Sequence, residues 1–208
     1  MRVYRRKFYN LFSKIYDSFV NLHSKNSGHE AKKALAALIE PQRDKVVVDI
    51  CTGTGSLLAY LADRSNVSLI IGIDFSRGML KKAKEKIKDK NNIYLIEADV
   101  TRLPLRNAKC DKIFCSHAFY EVKDKDQVNL LNEVKRTLKP SGHFIMMEHE
   151  IPENMFIRFL FYLRILSMGI KAALNILKRE EIYLKSYFSK VRKTYTSSKK
   201  SKIYICEK

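Results

Sequence analysis

The stretch richest in possible chemistry is Val46-Val47-Val48-Asp49-Ile50-Cys51-Thr52-Gly53-Thr54-Gly55, an apolar strand running into a glycine turn. Glycine has no Cβ and tolerates φ > 0, so a turn containing Gly53 and Gly55 lets a ligand approach the backbone closely. A valine at position 55 is therefore expected to block the ligand and leave the fold largely intact. Asp74 follows about 20 residues later, at the tip of the next apolar run, where a carboxylate can accept hydrogen bonds from both hydroxyls of a ribose. Glycine turn and carboxylate together point to a nucleoside.

Three nucleoside-type ligands compete for this turn. A phosphate-binding P-loop needs Lys-Ser/Thr after its second glycine, whereas Gly55 is followed by Ser56-Leu57-Leu58. The dinucleotide fingerprint wants a third small residue where this chain has Leu58, and the Asp49 carboxylate would repel a pyrophosphate. That same carboxylate suits a cationic ligand whose amino group needs acceptors, such as the sulfonium nucleoside S-adenosylmethionine.

Candidate proton-transfer groups are fewer. Of the five histidines, only His117 and His149 fall at expected carboxyl ends of parallel strands, where ligands sit in open α/β sheets. They are the candidate catalytic bases, with Tyr120 beside them in the loop that follows His117; Glu121 there reads as a packing or solvated residue. Cys51, Cys110, Cys115 and Cys206 lack the paired C-x-x-C spacing of a zinc site, so no metal centre is expected. Cys115, inside an apolar run, reads as a small core residue.

Holding these groups in place requires a sheet. Short apolar runs at Val46–Ile50, Leu69–Ile73, Ile93–Ile96, Ile113–Cys115 and Phe144–Met147 alternate with helical segments near 55–64, 76–90 and 124–139. The last of these opens on Asp124-x-x-Gln127, a capping-box-like start, and places Val128, Leu131, Val134 and Leu138 on its buried stripe. Strands apolar on both faces and alternating with helices predict an α/β fold with a doubly wound, mostly parallel sheet. Helical periodicity over 8–40, broken near Ser24–Gly28, predicts an N-terminal helical cap. A helical stretch over 154–189 is followed by Val191–Thr196 and Lys202–Cys206 around a polar turn, a closing antiparallel hairpin.

With 208 residues, 46% apolar and 30% charged, the chain is expected to form one domain: a cap over 1–40, a ligand-binding core over 41–150, and apolar-basic helices with the hairpin over 151–208. The basic start lacks an apolar core for a secretory signal, and the sparse cysteines do not suggest a disulfide framework, so a cytoplasmic protein is expected. The net charge of +18 is concentrated at the two ends of the chain. It fits a solvated surface, an anionic lipid or a nucleic acid. Residues 155–177 carry many large apolar side chains broken by Arg158, Arg164 and Lys171, too interrupted for a membrane span. If partly exposed, such a helix would favour a hydrophobic or lipid-like acceptor and a peripheral contact with a membrane surface.

Five segments stand in an order and spacing that resemble the class I S-adenosylmethionine-dependent methyltransferases, particularly the ubiquinone and menaquinone biosynthesis branch. They are Asp49-x-x-x-Gly53-x-Gly55; Gly72-Ile73-Asp74-Phe75-Ser76 with Met79-Leu80; Glu97-Ala98-Asp99-Val100 before Leu103-Pro104; Cys110-Asp111-Lys112-Ile113; and Leu138-Lys139-Pro140-Ser141-Gly142. The resemblance spans residues 10–150 and implies a seven-stranded Rossmann-like sheet that binds S-adenosylmethionine and releases S-adenosylhomocysteine. By the same resemblance, Asp49 and the Gly53 and Gly55 backbone would hold the methionine end, Asp74 the ribose with Phe75 beside it, and Met79 one face of the adenine. Asp99 would receive the adenine amino group next to Val100, and Ser116 would flank the cofactor. Phe12, Tyr16 and Phe19 would close over it from the cap. Cys51 stands where many members have their first glycine, and Ser141 where a second glycine often follows proline. The implied activity is methyl transfer to a small acceptor. Three readings stay open beside it: an RNA methyltransferase, a non-catalytic nucleic-acid-binding protein on the same scaffold, and a nicotinamide-dependent oxidoreductase.

Overall fold

Strands that are apolar on both faces must be covered on both, and the sheet is built accordingly. A computed structural model of the chain describes residues 2–13, 16, 28–63, 67–122, 125–151, 155, 158, 162 and 170–208. Five strands run parallel: β1 (Val46–Ile50), β2 (Leu69–Asp74), β3 (Ile93–Glu97), β4 (Cys110–Ser116) and β5 (Leu138–His149). The hairpin β6 (Lys190–Tyr195) and β7 (Ser201–Glu207) joins antiparallel, giving the order β3-β2-β1-β4-β5-β7-β6. The seven-stranded α/β architecture and its closing hairpin agree with the sequence pattern. The described helices are α1 (Arg2–Phe12), α2 (28–36), α3 (Ser56–Ala62), α4 (Arg77–Lys86), α5 (Lys125–Thr137) and α6 (Ile170–Tyr187), with a 3-10 turn at Phe119–Glu121.

Successive side chains of a strand point to opposite faces, and the two cores sort that way. Val48, Ile113, Phe144 and Tyr204 pack with Leu130, Leu131 and Val134 of α5 and Leu184 of α6. Val47, Phe114, Ile145 and Ile203 pack with Leu35 of α2 and with Leu57, Leu58 and Leu61 of α3. At the amino end of the sheet, Lys112 is a buried charge that the sequence pattern does not foresee. Its ammonium pairs with Asp44 at 2.8 Å and Glu40 at 3.1 Å and donates to the Leu38 carbonyl, tying the segment after α2 to the central strand β4. Asp111 supports the same end, accepting from the amides of Lys45 and Val46 and from Lys139.

Several boundaries differ from expectation. Val128 is 37% exposed, and the buried face of α5 is Gln127, Leu130, Leu131, Val134 and Thr137. Apolarity alone favours Val128 over its neighbour, but the Gln127 amide reaches the Phe119 carbonyl and so can be buried. Leu138 is the first residue of β5 rather than the last of a helix; it pairs with Cys110 across an irregularity that absorbs the Pro140-Ser141-Gly142 stretch. Asp124 of the expected capping box and most of the apolar run 155–177 lie outside the described residues. Helix α6 accounts for the last part of the expected 154–189 stretch.

Gly55 also has a packing role that the sequence does not show. It adopts φ +70 at the N-cap of α3, and a Cβ there would come within 2.7 Å of the Ala83 Cβ and 3.0 Å of its Cα. The missing side chain therefore lets α3 and α4 pack closely. Overfilling a packed contact costs about 1–3 kcal/mol, and a left-handed φ adds about 1–2 kcal/mol for other residues. Gly55→Val is accordingly expected to lower the melting temperature by roughly 4–20 °C at about 2–4 °C per kcal/mol for a chain of this size. A thermal scan showing an unchanged midpoint would contradict this packing role.

Candidate active site

The carboxyl ends of β1, β2 and β4 converge on one cleft, with α1 across its mouth. Its lining includes Tyr9 and Tyr16 from the N-terminal segment, Cys51, Gly53, Asp74, Phe75 and Met79 from the first half of the sheet, and Asp99, Val100 and Thr101 after β3. Ser116, His117, Ala118, Glu121, Val122 and Asp126 complete it from the β4 side. Eight of the ten expected cofactor-binding residues meet here. Asp49 and Gly55 do not line the cleft; they sit behind it, one under the turn and one against α4.

The glycine turn is organised around Asp49 and Asp74. Asp49, 1% exposed, accepts from the Thr52 hydroxyl at 2.5 Å through one oxygen, while the other has no partner among the described residues. Burial pushes its carboxyl up to about 7, against the Thr52 hydrogen bond, and the nearby Asp74 charge adds to the rise. Asp74 accepts from the Gly53 amide at 2.9 Å and the Ser76 amide at 2.9 Å, which fixes the turn relative to β2. It too is raised, to about 6, chiefly by burial and despite those backbone hydrogen bonds. Ser76 caps α4 by accepting from the Met79 amide. A Cβ at Gly53 would meet nothing within 4 Å, so the turn opens onto unfilled space in the cleft.

Cys51 adopts φ 54 and His117 φ 52, two non-glycine residues in the left-handed region at the ends of β1 and β4. Such backbone strain clusters at functional sites. The Cys51 thiol hydrogen-bonds Cys115, whose own thiol is held well above its ordinary value by that bond and by burial, leaving it inert. Asp99 accepts from the amide and hydroxyl of Thr101 at 2.9 and 2.7 Å, closing a side-chain turn at the cleft wall.

Of the three candidate catalytic groups, His117 lines the cleft. His149 lies behind it, stacked at 3.9 Å between ring centroids, and Tyr120, 4% exposed, meets His149 edge-on at 5.8 Å. Among the described residues, His149 and Tyr120 are therefore backing groups rather than part of the wall. From the cap, Tyr16 reaches the cleft; Phe19 and the side chain of Phe12 lie outside the described residues. Tyr9 and Asn10 carry a role that periodicity does not signal. The Asn10 side-chain oxygen accepts from Ser76 Oγ at 2.8 Å and the Gly78 amide at 2.9 Å, the Tyr9 hydroxyl donates to Glu121, and Arg6 pairs with Glu97. Helix α1 is thus fastened across both sides of the cleft.

Residues 47–142 match a family described as a methyltransferase domain. The chain is 32% identical over 133 residues to the malonyl-[acyl-carrier protein] O-methyltransferase of Marinomonas sp., covering 64% of this chain and 47% of that protein. It is 30% identical over 164 residues to the demethylmenaquinone methyltransferase of Lactobacillus johnsonii, covering 76% of this chain and 66% of that one. It thus spans about half to two thirds of these relatives' lengths. The crystal structure of a SAM-dependent methyltransferase from Aquifex aeolicus superposes with a TM-score of 0.64 at 18% identity, over 91% of this chain and 96% of that one. The chain belongs to the class I S-adenosylmethionine-dependent methyltransferases. Membership removes the nicotinamide reading of the glycine turn. The cofactor of the family suits this end of the sheet, because the turn is left open at Gly53 and the buried carboxylate beneath it keeps an oxygen with no partner among the described residues.

Asp49 and Asp74 titrate higher in the folded chain than in the unfolded one, so the folded state retains protons that the unfolded state has released. Their contribution to stability is therefore full below about pH 4 and is lost as pH rises through 6 to 7. Urea unfolding across this range should show Asp49→Asn gaining on the wild-type protein as pH rises. A difference between the two that stays constant from pH 4 to 7 would contradict the burial of an ionisable Asp49.

Proposed function

We propose that this chain is a methyltransferase that passes the methyl group of S-adenosylmethionine to a small, hydrophobic or lipid-like acceptor. The observation that carries the reading is the pairing of an open glycine turn with two buried carboxylates at neighbouring strand ends. The bound cofactor supplies a methyl group on a sulfonium, which is already an activated leaving group. What the chain must add is alignment, exclusion of water and, for a hydroxyl or acidic carbon, a base.

Asp74 would take the ribose hydroxyls on lone pairs that Gly53 and Ser76 leave available, since a carboxylate offers about four acceptor positions. Asp49 would meet the cationic amino group beneath the turn. Met79 and Val100 would bracket the adenine, with Asp99 accepting from its amino group and Ser116 on the cofactor's flank. His117 would take a proton from the acceptor, with its ring held by the stack on His149 and, behind that, Tyr120. Tyr9, Tyr16, Phe75 and Val122 give the wall an aromatic and apolar part beside the carboxyl groups of Glu121 and Asp126, which favours a hydrophobic acceptor that is not an anion. The names of the relatives, a demethylmenaquinone methyltransferase and a malonyl-[acyl-carrier protein] O-methyltransferase, support a small-molecule acceptor rather than a nucleic acid.

Among the described residues no helix is long and apolar enough to cross a membrane. A peripheral contact would instead use the outer face of α6, where Ile182 is 70% exposed among Lys178, Arg179 and Lys185, together with Arg192, Lys193 and Tyr195 of β6. A nucleic acid is the competing partner for this basic surface.

Asp74→Ala is expected to weaken S-adenosylmethionine binding by about 1.5–3 kcal/mol, the usual worth of hydrogen bonds to a charged group. Unchanged affinity by calorimetry in the folded variant would contradict the ribose assignment. For the acceptor, methyl transfer should be detected with quinone precursors or other lipophilic acceptors rather than total RNA, alongside flotation on vesicles containing anionic lipid. Transfer to RNA alone would reverse the proposal.

A further inference from the structure

We infer that Glu148 is the residue that positions the β4 side of the cleft, by holding the turn that presents Ser116, His117 and Ala118. The turn is strained, because His117 sits at φ 52, and a left-handed residue that is not glycine persists only where its surroundings fix it. Three consecutive residues at the end of β5 supply that restraint, each by a different means. The Met147 carbonyl accepts from the His117 amide at 2.7 Å, Glu148 Oε1 accepts from the Ala118 amide at 3.1 Å and the Phe119 amide at 2.7 Å, and the His149 ring stacks on the His117 ring at 3.9 Å. Tyr120 contributes a further backbone hydrogen bond to the Glu148 carboxyl. One side chain thus gathers the opening amides of the 3-10 turn Phe119–Glu121, whose last residue also lines the cleft and is bonded to Tyr9 of α1.

The choice of a carboxyl group for this task is costly. Glu148 is fully buried, and burial together with the Glu180 carboxylate raises its pKa. Lys202, which stands opposite Glu148 in the β5–β7 register, is committed to Glu180 at 2.6 Å and to the Leu177 carbonyl at 2.7 Å. What offsets the desolvation of Glu148 is therefore the cluster of backbone donors, and removing the carboxyl group would leave those amides buried without an acceptor. A glutamine would keep an accepting oxygen at the same position; a leucine of similar size would not.

The inference rests on the methyltransferase reading only for its consequence in ligand binding, and the test separates the two. Amide hydrogen exchange would be followed at residues 116–122 in the wild-type protein, Glu148→Leu and Glu148→Gln, with S-adenosylhomocysteine affinity measured by calorimetry on the same samples. In Glu148→Leu the amides of Ala118 and Phe119 should exchange at least tenfold faster while those of β1 and β2 are unchanged, and the affinity should fall about tenfold. Glu148→Gln should stay within about threefold of wild type in both. Wild-type exchange at 118–119 in a folded Glu148→Leu protein, or an affinity lost equally in both variants, would overturn the role. Should the leucine variant not fold, the wild-type protein decides: Ala118 and Phe119 amides that exchange rapidly, unlike those of β5, overturn it. Absence of S-adenosylhomocysteine binding in wild type would refute the cofactor reading and leave the exchange result to judge Glu148.

Discussion

A carboxyl group taken out of water resists ionisation, and this fold buries two of them at the carboxyl ends of adjacent parallel strands. Burial raises both Asp49 and Asp74, and each is held by groups of the glycine turn or its flanks: Thr52 on Asp49, Gly53 and Ser76 on Asp74. The turn owes its shape to these bonds, and α3 and α4 owe their close approach to the absence of a side chain at Gly55. In the proposed site, the Asp49 oxygen that is buried without a partner among the described residues would be satisfied by the cationic end of the ligand.

The opposite wall follows a different logic. There the backbone of the turn after β4 supplies the donors, and Glu148 gathers them from within the core. The two walls are joined over the top by α1, which bonds through Asn10 to the start of α4 and through Tyr9 to Glu121. These few contacts at the cleft mouth, rather than the hydrophobic cores beneath it, hold α1 over the site.

The sheet was legible because its evidence is local: short β-branched runs such as Val46–Ile50 and Leu69–Ile73 alternate with helical segments as strands covered on both faces do, and the glycine turn and Asp74 stand at their tips. Tertiary pairing was less visible. Whether Val128 or Gln127 faces the core turns on a carbonyl supplied by Phe119, and the burial of Lys112 turns on Asp44 and Glu40 arriving from another segment. Gly55 shows the same limit from the other side. Its type correctly marks a close approach, but sequence alone does not say whether ligand or Ala83 is the approaching group. Tyr9 and Asn10 look like ordinary positions of an amphipathic helix, and only docking onto α4 gives them a place at the cleft.

The most direct test is whether S-adenosylmethionine binding is coupled to ionisation of Asp49. A cation placed beside a carboxyl raised to about 7 favours its charged form, so binding should release protons and affinity should rise with pH up to about 7 and level off above. Calorimetry near pH 6.5 in two buffers of different ionisation enthalpy measures that release. Proton release in the wild-type protein that disappears in Asp49→Asn is the predicted result. Binding without any proton release, or identical release in the asparagine variant, would contradict a site built around a buried carboxylate awaiting a cation.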